Sequence, residues 1–345
     1  MLTLGIESTA HTYGVSVVDD SKKGLKKILS NIKDVYTTTK GGIIPVDAAK
    51  HHYDVKEKVL NEALAKANVK LSDISLIAFS QAPGLPPCLR VGCEEAKRIA
   101  SNLKIPLVGV NHCIAHLEIG KLSCNAKDPV FLFISGANTQ VISYAAGKYR
   151  IFGETLDMGL GNFIDSFARI VKIGFPGGPK IAILAEKGKK FIELPYSVKG
   201  MDVAFSGMLT NLKQKYESGK YNLKDLAYSL QEHAFAMILE VSERAMAHLK
   251  KKELIAIGGV ASNNRFRQMA EIMCKERNGK FFVPPKEYVK DNAGMIAYTG
   301  VLMYKADKRY AISPRKAKKT DFIPYQRTDD VDVKWVKEKR KEKWG

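Results

Sequence analysis

The chain is short of several things at once. Among 345 residues there are only two tryptophans and five cysteines. The cysteines (Cys88, Cys93, Cys113, Cys124 and Cys274) are odd in number and contain no CxxC, which argues against a disulfide framework and suits a reducing cytoplasm. No apolar run approaches the roughly 18–20 residues needed to span a bilayer. Met1–Ile6 enters an apolar segment without the basic region or cleavage site of a signal peptide. A cytoplasmic protein with no membrane contact is expected. Acidic residues are also scarce: 36 Asp+Glu against 55 Lys+Arg leave a net charge of +19, which points to a polyanionic partner such as nucleic acid.

What is present is a foldable composition. Hydrophobic residues make up 45% and charged residues 26%, so a packed core is expected rather than a disordered chain. The length suggests about two domains. Two β-rich runs, Leu2–Ile6 and Tyr13–Asp19, flank the polar stretch Glu7–Thr12. The layout recurs where Val130–Ile134 and Val141–Ala145 flank Ser135–Gln140, so the chain reads as built twice, with a boundary at 128/129. Helices are expected near 46–67 and 93–102, and strands at 74–80 and 105–110. Apolar periodicity predicts a long core helix over 223–249, followed by a strand at 254–257 and a helix from about Asn264. Strands alternating with helices imply a parallel or mixed sheet with covered faces. The end of the chain differs: 305–345 carries 14 Lys+Arg and 7 Asp+Glu, either a solvated face or a nucleic-acid contact.

The sharpest chemical signal is Asn111-His-Cys-Ile-Ala-His116, where an apolar strand ends and a helix begins. His112 and His116 are four apart, which on a helix puts both on one face at a spacing suited to a divalent metal. The Glu of HExxH, general base of one protease class, is missing. Asp291 is the best candidate for a third ligand, although by itself its place at the opening of a helical stretch reads better as an N-cap. Glycines at Ser135-Gly136, Phe175–Pro179 and Ile257–Val260 put small residues where backbone N–H groups can approach a phosphate.

These features stand among a longer series: Gly5-Ile-Glu-Ser-Thr-Ala-His-Thr12, Gly41–Pro45, Ser80–Gly84, Cys88–Val91, Asn111–His116, Ser135-Gly-Ala-Asn-Thr-Gln140, Thr155-Leu-Asp157, Phe175-Pro-Gly-Gly-Pro179, Phe205-Ser-Gly207, Gly258–Ala261, Asp291-Asn-Ala-Gly294 and Arg327-Thr-Asp329. In that order they resemble the universal tRNA threonylcarbamoyladenosine transferases, in the archaeal and eukaryotic branch that works within the KEOPS complex. The resemblance spans nearly the whole chain and looks like the stand-alone form, without a fused kinase-like domain. It implies an α/β actin-like ATPase fold: two ribonuclease-H-like lobes around a central cleft, here 1–128 and 129–325, with 326–345 as a basic tail. It also implies one divalent metal, iron(II) or alternatively zinc, on His112, His116 and Asp291. ATP or threonylcarbamoyl-AMP would be bound by Phe133, Ile134, Ser135, Gly136, Ala137, Asp165, Gly178, Ala182 and Asn263.

The implied reaction moves a threonylcarbamoyl group from its adenylate to N6 of adenosine 37 in tRNAs reading ANN codons. The implied partners are tRNA, a kinase-like ATPase subunit and small dimerising subunits. Glu7, His11 and Asp165 are candidates for the general base by residue type. Departures from the family pattern are Phe133 for a Tyr that can reach the metal, Ala137 for a Gly, Ala182 for an acidic residue near the nucleotide sugar, Ile44 for a His, and Ala82 and Pro86 for glycines. Altered metal and nucleotide affinity is expected, with the reaction retained. Rival readings are a metalloprotease of the glycoprotein-endopeptidase type, a small-molecule kinase and an ATP-binding, non-catalytic subunit.

Overall fold

The computed structural model describes residues 1–38, 43–136, 138–174 and 176–336. Gly41, Gly42, Ala137, Phe175 and the tail from 337 lie outside them. The chain begins with β1 (Leu2–Glu7), β2 (Thr12–Asp19), β3 (Ile28–Val35), α1 (Pro45–Ala67), β4 (Leu76–Ala82), α2 (Pro86–Leu103), β5 (Leu107–Asn111) and α3 (His112–Cys124). There follow β6 (Val130–Ile134), β7 (Thr139–Ala145), β8 (Lys148–Glu154), α4 (Leu160–Ile170), α5 (Gly177–Ala185), the small hairpin β9 (Val198–Lys199) and β10 (Asp202–Val203), α6 (Ser206–Glu217), α7 (Leu223–His248), β11 (Glu253–Ile257), α8 (Asn264–Glu276) and β12 (Lys280–Phe282). The chain then adds α9 (Lys286–Val289), α10 (Ala293–Ala306), β13 (Ala311–Ile312) and α11 (Pro314–Ala317). Among the described residues no helix is long and apolar enough to cross a membrane.

Two compact units result. One comprises Met1–Asn125, Ala145–Tyr149 and the chain from Pro285 onward; the other comprises Ala126–Tyr144 and Arg150–Pro284. The second unit is therefore shorter than the lobe expected over 129–325. The physical reason is that α10 belongs to the first sheet: a Cβ on Gly5 would lie 2.6 Å from Ala293 O and from Ala297 N, so only glycine lets α10 lie this close to β1. The beginning of the expected basic tail is likewise packed rather than solvated. Thr328 and Val333 are buried, and Trp335 Nε1 donates to the buried Glu118 at 2.7 Å.

The first unit's sheet has the order β13-β5-β4-β1-β2-β3. β1 runs antiparallel to β2 and parallel to β4, and β4 runs parallel to β5. The second unit's sheet has the order β12-β11-β6-β7-β8, with β6 antiparallel to β7 and β11 parallel to both β6 and β12. The path β3-β2-β1-β4-β5 thus repeats as β8-β7-β6-β11-β12, which extends the doubled hairpin of the sequence to a doubled five-strand core. In the first unit Leu4, Ile6, Val15, Val17, Ile77 and Phe79 pack with residues of α1 and α2 such as Val59, Leu60 and Ala96. In the second, Leu132, Ile134 and Val141 pack with Phe163, Phe167, Phe235 and Ile238.

Helix α2 starts seven residues before the expected Cys93. Pro86 and Pro87 read as breakers in a sequence, but at the first helical positions their missing N–H groups cost nothing and their fixed φ favours the helix. On α1, His52 is fully buried, with its ring 5.5 Å from that of Tyr13 on β2. Burial, assisted by the neighbouring His51, pushes its pKa down to about 4.

Two expectations follow for stability. Between pH 4 and 6.5 the unfolded chain protonates His52 and the folded chain does not. Its contribution is therefore complete above pH 6.5 and lost as pH falls, by about 2 kcal/mol at pH 5 relative to pH 7.5; urea unfolding at the two pH values should show a larger drop for wild type than for His52→Gln. Gly5→Ala should lower the unfolding free energy by about 1–3 kcal/mol through overpacking against α10, read in the same assay.

Candidate functional site

Three elements of the first unit bring the site together. β1 ends at Glu7, β5 hands over to α3 at His112, and Asp291 stands two residues before α10. α3 begins at His112 because Asn111 caps it, accepting the N–H of Ile114 (3.2 Å). His112 and His116 then project from one face with their rings edge-on, centroids 4.7 Å apart. The two roles open to Asp291 are divided between neighbours: Asn292 caps α10, its Oδ1 accepting the N–H of Met295 (3.0 Å), while Asp291 turns to the histidines. Asp291 Oδ1 lies 3.5 Å from His112 Nε2 and 3.3 Å from His116 Nε2. One ligand atom from each of the three residues falls within 4.8 Å of the others.

Behind His112 stands Glu7, fully buried. Its Oε2 accepts the Nδ1 proton of His112 at 2.9 Å, while Oε1 accepts from the N–H (2.7 Å) and the hydroxyl of Thr9. This orients the ring, with Nδ1 toward Glu7 and Nε2 toward Asp291. Burial opposes a charge on His112, but Glu7 and Asp291 prevail and hold its pKa well above the ordinary histidine value. Burial would raise the Asp291 carboxyl, yet the two imidazoles hold it well below the usual range. For His116 burial prevails and lowers the pKa. Two imidazole nitrogens and the oxygen of the half-buried Asp291, with the buried Glu7 carboxylate behind, form a donor set and a negative environment suited to a divalent metal. Three protein ligands would leave positions open for substrate.

The second unit gathers the glycine motifs. Ser135 and Gly136 follow β6, and Gly258 follows β11, the adjacent parallel strand. Gly258 has φ +106, and a Cβ there would lie 2.2 Å from Ile134 O, so this turn needs glycine. The N–H groups of Gly161 and Asn162 at the start of α4 donate to Ser135 O and Gly136 O. One turn along α4, Asp165 Oδ1 accepts the N–H groups of Gly177 (2.7 Å) and Gly178 (3.3 Å). A Cβ on Gly178 or Gly259 would meet nothing within 4 Å, leaving room for a ligand to approach the backbone. Of these, Ser135-Gly136 and Gly258-Gly259 follow the carboxyl ends of the parallel strands β6 and β11, where open α/β sheets bind ligands.

The remaining expected residues divide by environment. The Phe133 and Ile134 side chains are buried in β6, and Ala182 is half-buried on α5, four residues after Gly178. Asn263 caps α8, accepting the N–H of Phe266 (3.0 Å), and donates to Gln231 Oε1. Ala137 lies outside the described residues. Sequence reasoning missed the link between two motifs: Asp157 of Thr155–Asp157 accepts the N–H groups of Phe205 (2.9 Å) and Ser206 (2.7 Å) at the start of α6. These bonds bring its pKa down to about 2 against the opposing effect of burial.

Replacing Glu7 by Gln keeps the size but removes the carboxylate that orients His112. Loss of such a partner costs about 10–100-fold in metal affinity. Chelator competition with zinc or cobalt(II) should show that loss for Glu7→Gln and no measurable binding for His116→Ala.

Comparison with known proteins places this geometry in a family. The family model described as tRNA N6-adenosine threonylcarbamoyltransferase (TsaD) matches residues 25–298. The protein named tRNA N6-adenosine threonylcarbamoyltransferase from Thermococcus kodakarensis is 53% identical over 335 residues, covering 97% of this chain and 100% of that one. A "Probable bifunctional tRNA threonylcarbamoyladenosine biosynthesis protein" of Methanocaldococcus jannaschii is 49% identical over 338 residues, covering 98% of this chain and 61% of that longer protein. Among solved structures, HypF of T. kodakarensis superposes with a TM-score of 0.59 at 15% identity, over 87% of this chain and 47% of that one. The activator of 2-hydroxyisocaproyl-CoA dehydratase from Clostridium difficile, solved with ADPNP, gives 0.52 at 12% identity, over 94% and 99%. With the two sheets described above, these likenesses support an actin-like ATPase fold. Motifs, fold and relatives agree: the chain belongs to the TsaD family of tRNA N6-adenosine threonylcarbamoyltransferases.

Proposed function

We propose that the chain transfers the threonylcarbamoyl group of threonylcarbamoyl-AMP to N6 of adenosine 37 in tRNAs reading ANN codons. The observation that carries this reading is the His112–His116–Asp291 cluster with Glu7 behind it, in a chain of this family. In the reaction the N6 nitrogen attacks the carbamoyl carbon, the bond from that carbon to the phosphate oxygen breaks, AMP leaves and one N6 proton is lost. A divalent metal, iron(II) or zinc, bound by His112, His116 and Asp291 would supply a template and a Lewis acid. The backbone amides around Ser135-Gly136 and Gly258-Gly259 suit the phosphate of AMP or ATP.

The three candidates for the proton acceptor are not equivalent. Both oxygens of Glu7 are engaged by His112 and Thr9, and Asp165 caps the start of α5. His11 Nδ1 has no hydrogen-bond partner among the described residues and lies 3.9 Å from Asp291 Oδ2, so His11 is the candidate this reading assigns to the proton. The adenosine has to leave its stack to be reached. The reading includes action in the cytoplasm, within a KEOPS-type complex that supplies a kinase-like ATPase and small dimerising subunits.

The test gives the protein with those partners, threonylcarbamoyl-AMP and a tRNA transcript, and counts the modified nucleoside. Wild type should form it and His112→Ala should not; equal rates for the two would remove the metal cluster from the mechanism. His11→Gln should bind metal normally and react about 10²–10⁴-fold more slowly. Cleavage of a glycoprotein, or ATP-dependent phosphorylation of an alcohol without tRNA, would favour the protease or kinase reading instead.

A further inference from the structure

In the second unit the irregular segment after α5 is laid along α7 and held there by its backbone. Asp225 Oδ1 accepts the N–H groups of Lys189 (2.8 Å) and Lys190 (3.1 Å), Ser229 Oγ accepts that of Ile192 (2.8 Å), and His233 Nε2 accepts that of Leu194 (3.2 Å). The three acceptors are spaced by four, so they form one row on the helix. His233 also donates from Nδ1 to Ser229 O (2.8 Å), so its two ring nitrogens face opposite partners. Gly188 is the point of closest approach, since a Cβ there would lie 2.4 Å from Tyr228 Cβ and 2.6 Å from Lys224 O.

With the backbone engaged, the side chains are left outward. Lys187, Lys189 and Lys190 are exposed. Phe191 lies flat on His233, centroids 4.6 Å apart and planes 9° from parallel, yet it remains 61% exposed. The turn before α7 adds exposed Lys220 and Tyr221 near the same end of the helix. Nearby Lys213 is paired with Glu217 (3.8 Å), whereas none of these four lysines forms an ion pair among the described residues.

Exposed lysines on an anchored backbone, beside aromatic rings, offer what single-stranded or looped RNA requires: charges for phosphates and a flat surface for an unstacked base. We propose that Lys187–Phe191, with Lys220 and Tyr221, form a platform that holds the RNA substrate, lysines on the backbone and the outer face of Phe191 under a base. The inference rests on the tRNA reading above and names a surface for it.

The test is fluorescence anisotropy of a labelled tRNA transcript with the full chain across a salt series. Lys189→Gln/Lys190→Gln should weaken binding and reduce the slope of log affinity against log salt by about 1.5–2. Phe191→Ala should weaken binding about tenfold with little change in slope, and Phe191→Tyr, which keeps the ring, should restore it. Lys66→Gln/Lys104→Gln, exposed lysines of the first unit, serves as the control for charge alone. Platform variants that match this control in affinity and slope would overturn the assignment, as would a wild-type chain whose tRNA binding does not respond to salt. If such variants still form modified nucleoside at the wild-type rate, only the platform is lost; if wild type forms none, the transfer reading fails as well.

Discussion

A buried carboxylate, Glu7, and a half-buried one, Asp291, beside two imidazoles set the terms for the first unit. Glu7 forms no ion pair with a lysine or arginine among the described residues, and Asp291 faces only histidines in its ion pairs. Buried charge in such surroundings is costly unless it is neutralised and hydrogen-bonded. A proton on His112 offsets one of the two charges; a divalent cation would offset both while taking the Nε2 lone pairs that Glu7 and the fold direct toward Asp291. The surrounding details serve that balance. Gly5 lets α10 approach β1, which brings Asp291 within reach of α3, and Thr9 occupies the second oxygen of Glu7 so that the carboxylate cannot turn away from His112.

The repeated sheet path explains why chemistry collects where it does. In each unit a strand paired antiparallel on one side and parallel on the other ends in a loop: β1 at Glu7, β6 at Ser135-Gly136. The neighbouring parallel strand system supplies the complementary group, His112 after β5 in one unit and Gly258 after β11 in the other. One path has thus been furnished with different side chains. The first unit carries a His-His-Asp donor set suited to a cation, and the second carries open glycines and helix starts suited to an anion. That division follows from residues, since the strand order is the same.

Much of this was legible in the sequence, for reasons particular to each element. The hairpins β1–β2 and β6–β7 show in their alternation, α7 in its long period, and the histidine pair in its spacing of four. What stayed hidden depended on contacts distant in sequence. Nothing local says that Asn292 takes the capping role and frees Asp291, because adjacent Asp and Asn are equally good caps. Glu7 and Asp165 look alike as carboxylates until the structure shows one bound to a histidine and the other to helix-start amides. The boundary near 285 was invisible because the segment that follows folds back over about 280 residues to rejoin the first strand, and no composition change marks that return.

The excess of positive charge takes on a different meaning once its carriers are located. Lysines such as Lys27, Lys56 and Lys251 are tied to carboxylates within 3.2 Å, so they serve the fold and contribute little to an outside partner. Of the tail's charges, Lys334 is paired with Asp307 and Arg327 with Asp329. A polyanion senses charges that are exposed and not already answered. Asp225 makes this point at the edge of α7: it sits among lysines yet spends its carboxylate on the backbone N–H groups of Lys189 and Lys190, and their ammonium groups form no ion pair among the described residues. An acid placed in a basic loop in this way orders the loop without pairing off the lysine side chains, so the same residue that rigidifies the surface preserves its attraction for phosphate.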